Sequence, residues 1–101
     1  MELTRISRKY GHIPITATLH DGNPATITGV DVALLPSGAT PDGDTAWTAT
    51  DYTNGEAVVL LAGPDADPAG ALVATATGDL WARITDSPEV DAANVGRIRI
   101  R

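Results

Sequence analysis

The residue types that catalyse reactions are sparse in this sequence and stand in no pattern that brings them together. His12 and His20 are its two histidines. On one extended strand they lie about 26 Å apart at ~3.3 Å per residue, too far to share a metal ion. Ser7, Ser37 and Ser87 belong to no nucleophile motif. The chain has no cysteine, which excludes a disulfide framework and a thiolate metal site.

Two acidic loops are the remaining candidates for ligand chemistry. Asp42-Gly43-Asp44 and Asp65-Ala66-Asp67 place paired carboxylates in turns, and oxygen-rich loops can bind calcium. Neither loop is followed by the other ligands of a known calcium loop, and aspartate in a turn commonly caps its own backbone. The glycines form neither a dinucleotide fingerprint nor a Walker motif. The sequence therefore predicts no metal, no cofactor and no enzymatic activity.

Charge is distributed unevenly along the chain. Seven basic residues oppose thirteen acidic ones, for a net charge of −6, and none of the basic residues lies between positions 10 and 82. Because the first and last strands of a β-sandwich often lie side by side, the basic residues can form one patch. A solvated face with tolerable repulsion is the alternative. The predicted partner interface consists of Arg5, Arg8, Lys9, Trp81, Arg83, Arg97, Arg99 and Arg101.

The same composition argues against two classes of partner. A chain with a pI near 4.5 and few basic residues lacks the electrostatic footprint of a nucleic-acid-binding protein. No segment is long and apolar enough to span a bilayer, and residues 1–5 lack the apolar run of a secretory signal. We expect a soluble protein made in the cytoplasm.

The segments that carry these residues alternate between apolar and polar side chains, a period of two that is typical of β-strands. In the run 79–86, Leu80, Ala82 and Ile84 alternate with outward-pointing residues, and the run 95–101 alternates in the same way. Alternation places Trp81 outward beside Arg83, although coverage of both faces would make it a core residue. Further strands are predicted within residues 12–20, 27–35, 46–52, 57–62 and 71–77.

Turn residues separate these runs at intervals of 8–12 residues, which favours an all-β fold. We predict an Ig-like antiparallel β-sandwich of about seven to eight strands with no substantial helix. Residues 1–11 are expected to form an N-terminal arm or first strand, and residues 12–101 a single domain. Trp47 is expected in the core.

The end of the chain resembles a known group of proteins. Residues 78–90, Gly-Asp-Leu-Trp-Ala-Arg-Ile-Thr-Asp-Ser-Pro-Glu-Val, and residues 95–100, Val-Gly-Arg-Ile-Arg-Ile, resemble the end of small Ig-like structural proteins of tailed bacteriophages. Phages that infect actinobacteria provide the nearest likeness. Residues 58–65 are similar to a second recurring segment, and residues 47–52 fit loosely before it. Leu80 stands where many Ig domains place a corner tyrosine.

The resemblance implies a virion structural protein, synthesised in the host cytoplasm. A minor capsid or decoration protein that binds and stabilises the major capsid lattice is the first hypothesis. A head–tail connector or tail component is an alternative, and an Ig-like adhesion or carbohydrate-binding module on the particle surface is another. The expected partners are the major capsid protein or other virion proteins, with no nucleic acid and no membrane, and homo-oligomerisation is left open.

Overall fold

The fold is that of a computed structural model, which describes residues 1–15, 27, 29–84 and 92–101. These residues form nine β-strands and no helix, so none of them forms a helix that could cross a membrane. The strands are β1 (Glu2–Leu3), β2 (Arg8–Pro14), β3 (Val30–Pro36), β4 (Thr48–Ala49), β5 (Asp51–Thr53), β6 (Glu56–Ala62), β7 (Leu72–Val73), β8 (Gly78–Ile84) and β9 (Ala92–Ile100).

The first sheet has the strand order β1-β9-β8-β3-β4. Strand β8 lies at its centre and pairs antiparallel with both β3 and β9, as its strict alternation favours. Leu80 and Ala82 are buried on the inner face. The β8–β9 register shifts between Leu80 and Trp81, because Leu80 pairs with Gly96 and Trp81 with Asn94, which leaves one residue of β9 unpaired as in a β-bulge.

The second sheet has the order β2-β6-β5, with β7 parallel to β6. Ala57, Val59 and Leu61 of β6 are buried, and the intervening residues face outward. The turn between β5 and β6 has positive φ at Asn54 (55°) and Gly55 (79°). A two-residue hairpin turn of this kind requires left-handed backbone at both positions, so the predicted Asn-Gly hairpin is confirmed.

A single core joins the two sheets. Its largest fully buried side chains are Leu3, Val30 and Val32 from the first sheet and Leu61 from the second. Both sheets supply alternating apolar residues to one contiguous cluster, an arrangement consistent with a β-sandwich.

The beginning and end of the chain meet at one edge of the first sheet. Strand β1 pairs in parallel with β9, with Glu2 opposite Arg99 and Leu3 opposite Ile100. The amino group of Met1 donates to the carbonyl oxygen of Arg97 at 2.8 Å. The first strand predicted within residues 1–11 is thus divided between β1 and the start of β2.

Several predicted strands differ from the observed ones. In the run 27–35 the strand begins only at Val30, and the strand of the run 95–101 begins earlier, at Ala92. Residues 46–52 are split into β4 and β5 because the chain passes from the first sheet to the second at Thr50, whose amide and hydroxyl both donate to the carbonyl oxygen of Val30, at 3.0 and 2.8 Å. Within residues 71–77 only Leu72–Val73 is a strand. The strand predicted within 12–20 begins earlier, at Arg8, and the end of that prediction lies outside the described residues. Thr85 and Asp86, at the end of the run 79–86, also lie outside the described residues.

The backbone near Gly63 is packed too closely for a side chain. A Cβ atom at this buried position would overlap the carbonyl oxygens of Thr4 and Arg5. Gly63→Ala should therefore lower the free energy of unfolding by about 1–3 kcal/mol, the usual cost of overpacking. Urea denaturation measures this loss. Gly43→Ala is the control, since no atom lies within 4 Å of a Cβ there, and equal midpoints for the two variants would contradict the packing described.

Candidate partner-binding surfaces

The residues predicted to form one basic interface lie in three separate places. Arg5, Arg8 and Lys9 are in the β1–β2 loop and the start of β2, which belongs to the second sheet. Trp81 and Arg83 are on β8, at the centre of the first sheet. Arg97 and Arg99 are on β9, and Arg101 follows it. The structure therefore distributes these residues over both sheets.

Two of these arginines bind the loop between β6 and β7. Arg5 Nε lies 2.8 Å from Asp65 Oδ2. The hydrogen bond to Asp65 and the attraction of its carboxylate raise the pKa of Arg5 above its ordinary value. Arg8 lies 3.3 Å from Asp67 Oδ2 and donates to the carbonyl oxygen of Ala69 at 2.9 Å. The aspartates of the predicted acidic loop thus neutralise nearby basic residues.

Backbone hydrogen bonds hold the same two loops together. The amide of Gly63 donates to the carbonyl oxygen of Ser7 at 2.9 Å, and the amide of Asp65 donates to that of Arg5 at 2.7 Å. Between these anchor points, at the tip of residues 4–7, stands Ile6, whose side chain is 76% exposed. We call this constrained loop with its exposed isoleucine the Ile6 knob.

Arg83 forms an ion pair across the first sheet and also contacts an aromatic ring. Asp31 lies opposite it in register, and Arg83 Nη2 is 3.1 Å from Asp31 Oδ2. The guanidinium carbon lies 4.6 Å from the centre of the Trp47 ring, within the range of a cation–π interaction. Trp47, expected in the core, lies outside the core cluster. The reason is its position just before β4, the edge strand of this sheet.

Trp81 lies on the outer face of the first sheet, opposite to the buried side chains of Leu80 and Ala82. Its side chain is half-buried. Its partner on the neighbouring strand β3 is Ala33, which is only 1% exposed although it also faces outward. The indole Nε1 is buried and has no hydrogen-bond partner among the described residues. Trp81 thus belongs to the covered part of this face rather than to a freely exposed patch.

Three arginines alternate along the end of β9 and form what we call the arginine ladder, Arg97, Arg99 and Arg101. All three are exposed. Arg101 lies 3.0 Å from Glu2 Oε1, and Arg97 donates to the hydroxyl of Ser37 at 3.2 Å. Within the described part of the chain, Arg97 and Arg99 have no carboxylate at ion-pair distance. Among the described residues, the ladder thus contains two of the three basic residues of the predicted interface that form no ion pair, and Lys9 is the third.

Sequence reasoning missed a recess at the edge of the second sheet, where strand β4 of the first sheet also contributes to the walls. The recess has a volume of about 470 Å³. Its walls are formed by Tyr10, Thr48, Ala49, Thr50, Asp51, Val58, Val59, Leu60, Gly70, Ala71 and Leu72. It lies beside the edge of β6 where neighbouring strands are missing, since β5 pairs with Glu56–Val58 and β7 with Leu61–Ala62. We call it the β6 recess.

The apolar run 57–62 was the one signal in the sequence for this surface. It is apolar on both sides, which indicates a central strand covered on both faces. Strand β6 is central in its sheet, but Val58 and Leu60 are half-buried on its outer face, and Tyr10 beside them is 63% exposed. The outward apolar residues therefore line an open recess.

Metal-ligating residues form no cluster in residues 1–15, 27, 29–84 and 92–101, where no three His, Asp or Glu side chains converge. His12 Nδ1 lies 2.7 Å from Glu56 Oε1, as an exposed two-residue contact. Asp42 accepts hydrogen bonds from the amide of Asp44 at 2.8 Å and from the hydroxyl of Thr45. This loop carboxylate thus caps its own turn, as aspartate commonly does.

No family model, curated protein or solved structure matches the chain. The likeness to phage structural proteins therefore rests on the residues that carry it. Residues 78–84 and 95–100 of this likeness belong to β8 and β9, which are neighbours in the first sheet. Residues 85–90 of the likeness lie outside the described residues.

The ion pair of Arg83 should contribute more to stability than that of Arg101. Arg83 and Asp31 are 35% and 14% exposed, whereas Arg101 and Glu2 are 72% and 48% exposed. Arg83→Met leaves a largely buried carboxylate unpaired and should lower the free energy of unfolding by about 1–3 kcal/mol. Arg101→Met should cost less than about 1 kcal/mol, as exposed pairs do. Thermal or urea unfolding measures both, and equal losses would contradict the difference in burial.

Proposed function

We propose that this chain is a structural protein of a tailed-bacteriophage virion, of the minor capsid or decoration type, which binds and stabilises the major capsid lattice. The observation that carries the proposal is the resemblance of residues 78–90 and 95–100 to the end of such proteins. In the fold these residues include two adjacent strands, β8 and β9. The resemblance therefore concerns one continuous piece of the first sheet.

The finer fold assignment that accompanies this proposal is an Ig-like β-sandwich. Two observations support it: a single core is shared by two sheets, and β4 and β5 are successive strands in different sheets. Sandwiches of this class commonly serve as rigid modules on surfaces, because the sheets support the loops and faces that contact partners.

Binding in the proposed role depends on the exposed basic surface of the first sheet. The arginine ladder presents guanidinium groups at alternate positions of β9, and these groups suit contacts with carboxylates of an acidic capsid surface. Each contact is weak in solvent. Many copies on a capsid lattice reinforce one another where each copy spans neighbouring subunits, since its second contact is then effectively intramolecular.

The alternative of a carbohydrate-binding module has less support. Stacking on sugars requires two or three exposed aromatic rings in one plane. The chain has four aromatic residues, and Tyr10 is the exposed one, while Trp47, Tyr52 and Trp81 are half-buried. A connector or tail component would use the same surfaces on another part of the particle. An experiment must therefore distinguish binding to the capsid from binding to the connector or tail.

Co-sedimentation with purified particles tests the proposed function. The protein should bind capsids of its phage, saturate at a fixed number of copies per capsid subunit, and dissociate as salt is raised, because the proposed contacts are exposed charges. Binding to isolated tails or connectors alone would transfer the protein to that location. Binding to neither particle would overturn the virion proposal.

Two matched charge reversals test the docking surface. Arg99→Glu changes the arginine ladder, and Lys9→Glu makes the same charge change on the second sheet. Arg99→Glu should weaken capsid binding at least about tenfold, whereas Lys9→Glu should leave it nearly unchanged. Occupancy measured by co-sedimentation at constant salt compares the two. Equal occupancy for the wild type and Arg99→Glu would show that the ladder is not the docking surface.

A further inference from the structure

Strand β2 is an edge of the second sheet along its whole length. It pairs antiparallel with β6 from Arg8 to Pro14 without a register shift, and no described strand lies on its other side. The outer strands β1, β4, β5 and β7 have only two or three residues each, and the part of β9 that β1 leaves open contains the β-bulge. Short strands and bulges are common protections of a sheet edge. Among the described residues, β2 is therefore the one long, regular edge that another strand can join.

The hydrogen bonds just beyond both ends of β2 show which of its backbone groups face outward. The amide of Gly63 donates to the carbonyl oxygen of Ser7, and the amide of Ile15 donates to that of Gly55, both at 2.9 Å and in the register of β2 with β6. Residues bonded to the partner strand alternate with residues that are not. The residues bonded to β6 are thus Lys9, Gly11 and Ile13. The groups left pointing to the open edge are the amides and carbonyls of Arg8, Tyr10 and His12 and the carbonyl of Pro14, and no other described segment bonds to them.

The side chains on the outer face of this edge include two exposed rings. Tyr10 is 63% exposed, and the side chain of His12, two residues further on the same face, is 58% exposed. His12 Nδ1 lies 2.7 Å from Glu56 Oε1, so a carboxylate stands beside the imidazole. The occupant that suits this edge is an extended strand that bonds to the outward backbone groups and presents rings opposite these two.

Strand β2 of a second copy meets both requirements. Rotation about a two-fold axis at Gly11 places β2 antiparallel to itself, and a two-fold interface requires such a self-complementary surface. In this register Tyr10 of each copy lies opposite His12 of the other, and Arg8 lies opposite Pro14. Every outward amide of both copies then faces a carbonyl oxygen. Pro14, which has no amide to donate, contributes only its carbonyl.

The side chains favour this register over its neighbours. Tyr10 and His12 form two cross-strand aromatic pairs, which stabilise a sheet, and Lys9 lies opposite Ile13, so no two cationic side chains face each other. An axis at Tyr10 would place Arg8 opposite His12, and an axis at His12 would place the two histidines opposite each other. On these observations we infer that two copies form a two-fold dimer by antiparallel pairing of β2, with Gly11 at the axis, which joins the two second sheets into one.

This dimer does not use the arginine ladder, because the ladder belongs to the first sheet. The inference therefore does not depend on the virion role and can be tested with the purified protein alone.

Sedimentation velocity over a concentration series tests the dimer. The wild type should show a reversible monomer–dimer equilibrium. His12→Pro removes an outward amide and places the proline ring on the open edge, while the bonds from β2 to β6 keep all their donors. His12→Ala is the matched control, because it removes the same side chain and keeps the amide. His12→Pro should dimerise at least about tenfold more weakly than His12→Ala. Circular dichroism and urea midpoints should show both variants folded.

Cysteine cross-linking tests the register and does not depend on the folding of His12→Pro. The natural chain has no cysteine, so introduced thiols have no competing partners. Tyr10→Cys mixed with His12→Cys should give disulfide-linked heterodimers under mild oxidation, because residues directly opposite in a hydrogen-bonded pair have Cα atoms about 5.5 Å apart, within the range of a disulfide. Either variant alone should link much less, since two copies of the same position are then diagonal neighbours, roughly 7–8 Å apart.

A wild type that remains monomeric at every concentration up to about 1 mM would overturn the inference. So would a dimer that His12→Pro and His12→Ala weaken equally, since the backbone of β2 would then play no part in it. Tyr10→Cys or His12→Cys linking alone as well as the mixture would overturn the register with Gly11 at the axis. Failure of capsid binding with an intact dimer would overturn the virion proposal only.

Discussion

Close packing between the two sheets is the constraint on which the rest of the structure depends. All buried core residues are aliphatic, and the described part of the chain buries no polar or charged residue. Valine and alanine side chains are small, so the stabilising area at each position is modest and must be gathered from both sheets. The charged groups of the described residues therefore lie on the outer faces and in the loops. The outer faces of the two sheets differ in the residues they present.

On the outer face of the first sheet, Arg83 of β8 has partners within the same sheet. It binds Asp31 and stacks on Trp47, and Trp81 lies opposite Ala33. The second sheet has a different character, because its outward residues Val58 and Leu60 line an open recess whose walls are both polar and apolar. Its exposed apolar side chain, Tyr10 of β2, and the strand that carries the basic ladder belong to different sheets.

Alternation and turn chemistry were sufficient to predict the class of fold and several strands. The run 79–86 predicts β8 because one face of that strand is buried and the other is not, and Asn54-Gly55 predicts its hairpin because few other residues adopt positive φ. The residues 46–52 also alternate, but periodicity does not indicate that the strand changes sheets at Thr50. That change depends on hydrogen bonds to Val30, twenty residues earlier in the chain.

The interface residues were harder to predict for a related reason. Counting charges identified the basic residues at both ends of the chain, yet their partners Asp31, Asp65 and Asp67 come from distant segments. Ile6 stands in no apolar pattern, so its exposure depends on Gly63 and Asp65 anchoring the loop. Long-range pairing of this kind determines which charged side chains remain without a partner. It can be read from a single sequence only when the arrangement of the strands is already known.

The passage of one strand between the sheets also has a mechanical consequence. Because β4 and β5 are continuous through Thr50, the two sheets share a covalent and hydrogen-bonded crosspiece. Sliding of one sheet over the other would break the two hydrogen bonds to Val30 and both flanking strand pairings together. Shear between the layers is thus resisted at a point near the recess, and a load applied to one sheet is transmitted to the other through the backbone.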